Sequence, residues 1–280
     1  MRSEEIKKVV KDRYGKAAEE GGGNGCCSCA TEVTANLSFA TEHGLYAQEE
    51  LFLVPEIARN LSRGCGNPTG FASLQPGEVV VDLGCGAGID VVLAALKVGP
   101  SGKVVGVDFS PEMIERAKQA TAEAGLSGTA EFVVTDMECP NLPDSFANVV
   151  ISNCVINLSP DKHAVYREAF RLLKPGGRLA ISDIVLAEQI EAHVQAHLQS
   201  TWSGCVGGTI DEESYLAIIS ETGFRQVEIV ARHTLASQEL DEMACCPGPE
   251  FTPAPTTEDL AAVNGKVVSI KFTVVKPQVS

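Results

Sequence analysis

A chain of 280 residues with 44% hydrophobic residues can bury one large core, or a core with an appended lobe, which excludes wholesale disorder. A formal charge of -15 argues against nucleic acid or an anionic membrane as partner. No apolar run reaches the roughly 20 residues that a bilayer demands, and MRSEEIKKVV lacks the apolar centre of a secretory signal, so a cytoplasmic protein is expected. Ten cysteines in that compartment stand as free thiols, as metal or metalloid ligands, or as redox groups.

In chain order, the apolar spacing Ile6, Val9, Val10, Tyr14, Ala17 predicts an amphipathic helix over Ser3 to Glu20. The segment GGGNGCCSCA follows as a loop carrying Cys26, Cys27 and Cys29. Glu49 to Leu61 reads as a second helix that tolerates Pro55, before Gly64-Cys65-Gly66-Asn67-Pro68 breaks the chain. From Val79 the pattern is regular. Strands are predicted at Val79 to Asp82, Lys103 to Asp108, Ala130 to Asp136, Phe146 to Asn153 and Arg178 to Asp183. Helices are predicted at Ile89 to Val98, Pro111 to Ala124 and Lys162 to Leu173. Runs of Val, Ile and Ala alternating with helices imply an α/β fold, a doubly wound and mostly parallel sheet covered on both faces. Beyond it, Glu188 to Thr201 and Asp211 to Thr222 read as helices. Phe224 to Arg232 and Lys266 to Lys276 read as an antiparallel pair at the sheet edge, separated by a proline-rich loop with Cys245 and Cys246. The expected organisation is an N-terminal helical region over 1–70, a central domain over 71–187 and a C-terminal lobe over 188–280.

The stretch VVVDLGCGAGID, residues 79–90, is strand, glycine turn and helix start. Ligands of open parallel sheets sit at the carboxyl ends of the strands. Asp82, Asp108, Asp136 and the Asn153-Cys154 pair fall at those ends. Asp108 follows Asp82 by 26 residues, a spacing suited to gripping ribose hydroxyls. A dinucleotide would bring a pyrophosphate to the turn, and Asp82 would repel it. The ammonium and sulfonium of S-adenosylmethionine would be attracted instead.

The pieces VVDLGCGAG, VVGVDFSPEMIERAK, VVTDME and LLKPGGRL resemble, in order, the class I S-adenosylmethionine-dependent methyltransferases of Rossmann-like fold. That resemblance implies S-adenosylmethionine as methyl donor. Gly84 and Gly86 would shape its methionine end, Asp108 would hold the ribose, and Asp136 with Met137 would border the adenine. Asp82, Phe109, Met113 and Asn153 complete the implied cofactor-binding set.

No dedicated base is apparent for an oxygen or nitrogen acceptor. Cysteines are available instead. Cys154 ends the fourth strand, and Cys65 and Cys205 lie in the glycine-rich loops GCGNP and SGCVGG. Three converging thiolates suit a soft, three-coordinate centre, and trivalent arsenic keeps a lone pair that can take the methyl without loss of a proton. The pieces EELFLVPEIA, GCGNPT, SNCVINLSPDK and SGCVGG resemble the arsenite methyltransferases. The resemblance implies that Cys65, Cys154 and Cys205 bind As(III). It also implies that an N-terminal cysteine, among Cys26, Cys27 and Cys29 with Cys27 taken as the candidate, takes part in disulfide exchange. External thiols, from thioredoxin or glutathione, would be the reductant, because methylation formally oxidises arsenic. A monomer is expected. The competing readings are a methyltransferase for a quinone-like carbon acceptor and an arsenic-binding thiol sensor on a methyltransferase scaffold.

Overall fold

The computed structural model describes residues 3–19, 45–62, 64–200, 205–236, 239 and 261–278. Cys26, Cys27, Cys29, Cys245 and Cys246 lie outside them.

The predicted βα alternation forms as expected. β1 (Val79–Leu83), β2 (Lys103–Asp108), β3 (Ala130–Val134), β4 (Ala147–Asn153) and β5 (Leu173–Leu186) pair in parallel. β6 (Arg225–Thr234) and β7 (Val267–Val275) pair antiparallel and join the same sheet, giving seven strands in the order β3-β2-β1-β4-β5-β7-β6. The early helices are α1 (Ser3–Glu19), α2 (Gln48–Leu53), α3 (Glu56–Leu61) and α4 (Pro68–Phe71). Those of the sheet region are α5 (Ile89–Val98), α6 (Pro111–Glu123), α7 (Lys162–Leu172), α8 (Ala192–Ser200) and α9 (Glu212–Thr222).

Side chains alternate across the sheet with the period of two that strand geometry imposes. Val81, Leu83, Val105, Val107, Val150, Leu179 and Ile181 point to one face, where α7 and α9 cover them with Val165, Tyr166, Leu172, Tyr215 and Ile219. Val80, Val104, Val149, Ile151 and Ala180 point to the other, under Val91, Ala94, Ala95 and Val98 of α5 and Ile114 of α6. Strands buried on both faces read as unbroken apolar runs, which is why they were visible in the sequence. Helix starts are set by local caps. Ser110 accepts from Met113 N, and Asp161 and Asp211 accept from Ala164 N and Ser214 N.

Most boundaries fall within two residues of expectation, β3 for instance ending at Val134 rather than Asp136, and three depart further. The helix read over Glu49 to Leu61 is two helices, because the chain turns extended at Val54 and Pro55. Pro55 lacks the N–H that would continue the first helix, and it precedes the second. β5 is longer than Arg178 to Asp183, since Leu173 already pairs with Ala147 and the strand runs on to Leu186 beside β7. The helix read from Glu188 starts only at Ala192.

α1 packs over α6 and the rim of the sheet. Ile6 and Val10 are buried, Arg116 Nε donates to Ala18 O at 3.0 Å, and Lys7 pairs with Asp136 at 2.7 Å and with Glu138. At the opposite end of the strands, Arg178 on β5 fastens the chain that enters β1. Its guanidinium donates to Ala72 O, Ser73 O and both oxygens of Glu78 at 2.6 to 2.8 Å. Replacing Arg178 by Met is expected to lower unfolding stability by about 2 kcal/mol, a charged hydrogen-bond network lost at a half-buried place. The midpoint of urea unfolding measures it.

Candidate functional site

The carboxyl ends of β1, β2 and β4 open into a cavity with about 820 Å³ of empty space, part of it open to solvent. Asp82, Gly84, Gly86, Asp108, Phe109, Met113, Met137, Asn153 and Cys154 line it, together with Asp90 of α5 and Tyr14 of α1. Of the residues expected to bind a cofactor, all but Asp136 therefore meet at one cavity. Asp136 does not line it and is held instead in the ion pair with Lys7.

The glycine turn behaves as its composition demands. Gly84 has φ +75° and Gly86 φ +51°, values that other residues rarely adopt. A Cβ on Gly84 would lie 2.4 Å from Val155, whereas one on Gly86 would meet nothing within 4 Å, so Gly86 leaves room on the cavity side. Asp108 shapes the turn from β2. One of its oxygens accepts from Gly86 N and the other from Ser110 N, both at 2.9 Å.

Three acids are buried around this mouth. Burial pushes Asp82 well above the usual carboxylate range, and the charges of Asp90 and Asp108 push it further. Burial also raises Asp90 and Asp108 to about 6, against the hydrogen bonds that favour their charged forms. Grouped buried carboxylates are stabilised by a cationic ligand. The donor set therefore fits an ammonium and a sulfonium and opposes a pyrophosphate.

Next to it lie the thiols. Cys154 follows β4 with φ +62°, a left-handed backbone that costs a non-glycine residue about 1 to 2 kcal/mol. The turn is fixed by Cys154 N donating to Ser182 O at 2.8 Å. Cys65 comes from its glycine-flanked loop and Cys205 from the start of a short 3-10 helix (Cys205–Gly208), and all three are buried in one cluster, although the group whose atoms lie within 4.8 Å of one another holds the sulfurs of Cys65 and Cys154 and not that of Cys205. Cys205 Sγ donates to Cys154 O at 2.8 Å, and Cys65 Sγ lies 3.7 Å from Ser182 Oγ. Hydrogen bonds from Cys205 and Cys65, followed by burial, hold the Cys154 thiol well above its ordinary pKa. The glycines beside Cys65 permit this approach. A Cβ on Gly64 would lie 2.4 Å from Asn153 Nδ2, and one on Gly66 would lie 2.0 Å from Ser182 Oγ.

Asn153 joins the two halves. Its Oδ1 accepts from Cys65 N at 3.1 Å, and its Nδ2 reaches Gly66 O at 2.7 Å, Tyr46 Oη at 2.9 Å and Asp90 at 3.0 Å. Tyr46 in turn donates to Asp90. Sequence reading missed Tyr46 and Asp90. It also missed Asp183, whose carboxylate lies with the sulfurs of Cys65 and Cys154 in a group whose atoms are all within 4.8 Å of one another. Asp183 closes the strand predicted over Arg178 to Asp183, so the strand-end rule could have found it, although β5 runs on past it to Leu186.

Residues 74–223 match the family described as a methyltransferase domain. The chain belongs to that family. It is 39% identical over 241 residues to an arsenite methyltransferase of Halobacterium salinarum, covering 82% of this chain and 60% of that protein. It is 27% identical over 260 residues to the arsenite methyltransferase of Homo sapiens, covering 87% and 65%. The chain thus spans between half and two thirds of the length of these curated relatives. Among solved structures it is similar to an arsenic(III) S-adenosylmethionine methyltransferase from Chlamydomonas reinhardtii, with a TM-score of 0.62 and 27% identity over 88% of this chain and 73% of that one. The Rossmann-like class I methyltransferase fold read from the sequence is the fold observed.

A cationic ligand favours the ionised acids, so its binding should release protons near pH 6, where Asp90 and Asp108 are part-protonated without it. Affinity should weaken as pH falls below that value. Calorimetry with S-adenosylmethionine, in buffers of different ionisation enthalpy, measures both effects.

Proposed function

We propose that this protein methylates trivalent arsenic, with S-adenosylmethionine as methyl donor. The observation that carries the reading is the convergence of Cys65, Cys154 and Cys205, from three separate segments, beside a cavity lined with acids. The two similar arsenic enzymes named above support it.

Asp82, Asp90 and Asp108, with Gly86 leaving room between them and Met113, Phe109 and Met137 around the apolar part, would hold the donor. When bound, S-adenosylmethionine supplies an electrophilic methyl group on a sulfonium. The cysteines hold arsenic as the substrate. Arsenite exchanges its hydroxides for thiolates, and each thiol proton leaves with a hydroxide as water. The raised pKa of Cys154 is then no obstacle, and no separate base is required. Three sulfur ligands leave the arsenic lone pair free, and the protein's task is to aim it at the donor cavity.

Restoring As(III) after transfer needs two electrons. A cysteine pair can supply them by closing a disulfide that thioredoxin or glutathione reopens. Cys27 remains our candidate for the N-terminal partner, and a monomer remains the proposed assembly.

Incubation with S-adenosylmethionine, arsenite and a thiol should yield methylated arsenicals by mass spectrometry, and their absence sinks the reading. Cys154→Ser is expected to lower turnover by about a hundredfold or more, since it removes a ligand that places the reacting atom. Donor affinity, read by calorimetry, should stay within about twofold of the parent, because uniform binding of the donor is untouched.

A further inference from the structure

Among the described residues, the arsenic-facing thiols have one acidic neighbour that neither the cofactor cavity nor the thiol set accounts for. Asp183 on β5 is fully buried. Its Oδ1 accepts from Asn157 Nδ2 and from Ile184 N, both at 2.9 Å, and its Oδ2 accepts from Tyr215 Oη at 2.8 Å. Tyr166 Oη donates to Tyr215 Oη at 2.8 Å, which orients the Tyr215 hydroxyl toward Asp183. Burial raises Asp183 to about 6, against the hydrogen bonds from Tyr215, Ile184 and Asn157 and the charge of Lys162, which favour its anionic form, so the carboxylate is charged above that pH. Burying such a group costs stability unless something is gained from it. The gain is not a cap or a surface pair, because Asp183 opposes Ile270 in the middle of the β5–β7 ladder. What faces it is the pair of sulfurs of Cys65 and Cys154, within 4.8 Å. Lys162 is buried nearby, where the charges of Asp183 and Cys205 both act on it and its own charge favours the ionised Asp183.

Resting on the arsenic reading, we infer that Asp183 is a fixed negative charge that stabilises the positive charge arriving on arsenic during methyl transfer. The step moves charge and nothing else. The arsenic lone pair forms the As–C bond, the C–S bond of the sulfonium breaks, and its electron pair stays on sulfur. One positive charge therefore passes from the donor sulfur to arsenic, and no proton moves. Before the step, arsenic with three thiolates is neutral, and the carboxylate gains little from it. After the step they are opposite charges in a buried, preorganised site. An interaction that strengthens only as the transition state forms accelerates the reaction without tightening substrate binding. The hydrogen bonds from Asn157, Ile184 and Tyr215 keep the carboxylate in place, so that no solvent has to reorganise.

The test separates binding from chemistry. Arsenite affinity is measured by equilibrium dialysis with arsenic mass spectrometry. Methyl transfer is measured in a single turnover at saturating donor and arsenite. For Asp183→Asn, affinity is expected to stay within about threefold, while the transfer step slows by about a hundredfold, the usual loss for one preorganised electrostatic group. Asp183→Glu should recover part of that rate. If the Asn variant does not fold, as its thermal melt will show, Asp183→Glu and Asp183→Gln make the same comparison of charge at equal volume. Transfer at the parent rate in the neutral variant overturns the inference. So does a loss of arsenite affinity as large as the loss of rate, which would make Asp183 a builder of the thiol site. A parent protein that binds arsenite but never methylates it overturns the proposed function and this inference together.

Discussion

Strands β1, β4 and β5 lie side by side and run the same way, so whatever ends one of them stands next to whatever ends its neighbours. The whole site depends on that parallel register. Asp82 pairs in register with Ile151, and Asn153 with Ser182, which places an acid, an amide, a thiol and a second acid along one rim. Antiparallel neighbours would have scattered those residues to opposite ends of the sheet. The glycine turn after β1, the left-handed residue after β4 and the bend of the Cys65 loop all bring polar groups back over this rim. The apolar faces below bury the strands on both sides, which is what makes the rim rigid enough to hold buried charges.

The cost of that arrangement is borne by a small number of polar contacts. Asp90 is buried beside Asn153 and Tyr46, and Asp183 beside Asn157 and Tyr215. Each acid is shared between secondary-structure elements, so each both closes the fold and faces the site. Asn153 is the clearest case. Its carbonyl fixes the backbone of Cys65, while its amide nitrogen reaches the acid of the donor cavity. The thiol cluster and the donor cavity are therefore two ends of one hydrogen-bonded unit rather than adjacent but separate sites.

Much of this was legible in the sequence, for identifiable reasons. The strands show as apolar runs because they are covered on both faces. Asp82, Asp108 and Cys154 show because strand ends are where polar residues interrupt such runs. Cys65 and Cys205 show because glycine flanks them. What did not show depends on contacts across long separations. Tyr46 lies 107 residues from the Asn153 it touches, and no local pattern marks it. Asp90 sits in the first turn of α5, where an acid is ordinary, and only the fold turns it inward. The break at Pro55 was misread because a proline early in a helix is tolerated, and the residue pattern alone does not say whether one helix or two is formed.

The left-handed backbone at Cys154 has a consequence for any effort to improve this protein. Glycine takes that conformation freely, and asparagine takes it more readily than cysteine does. A screen for heat resistance alone would thus reward replacing the central thiol. The strained residue is where robustness and chemistry pull in opposite directions, so a library meant to harden the scaffold should hold position 154 fixed and look for its gains at the far ends of the strands.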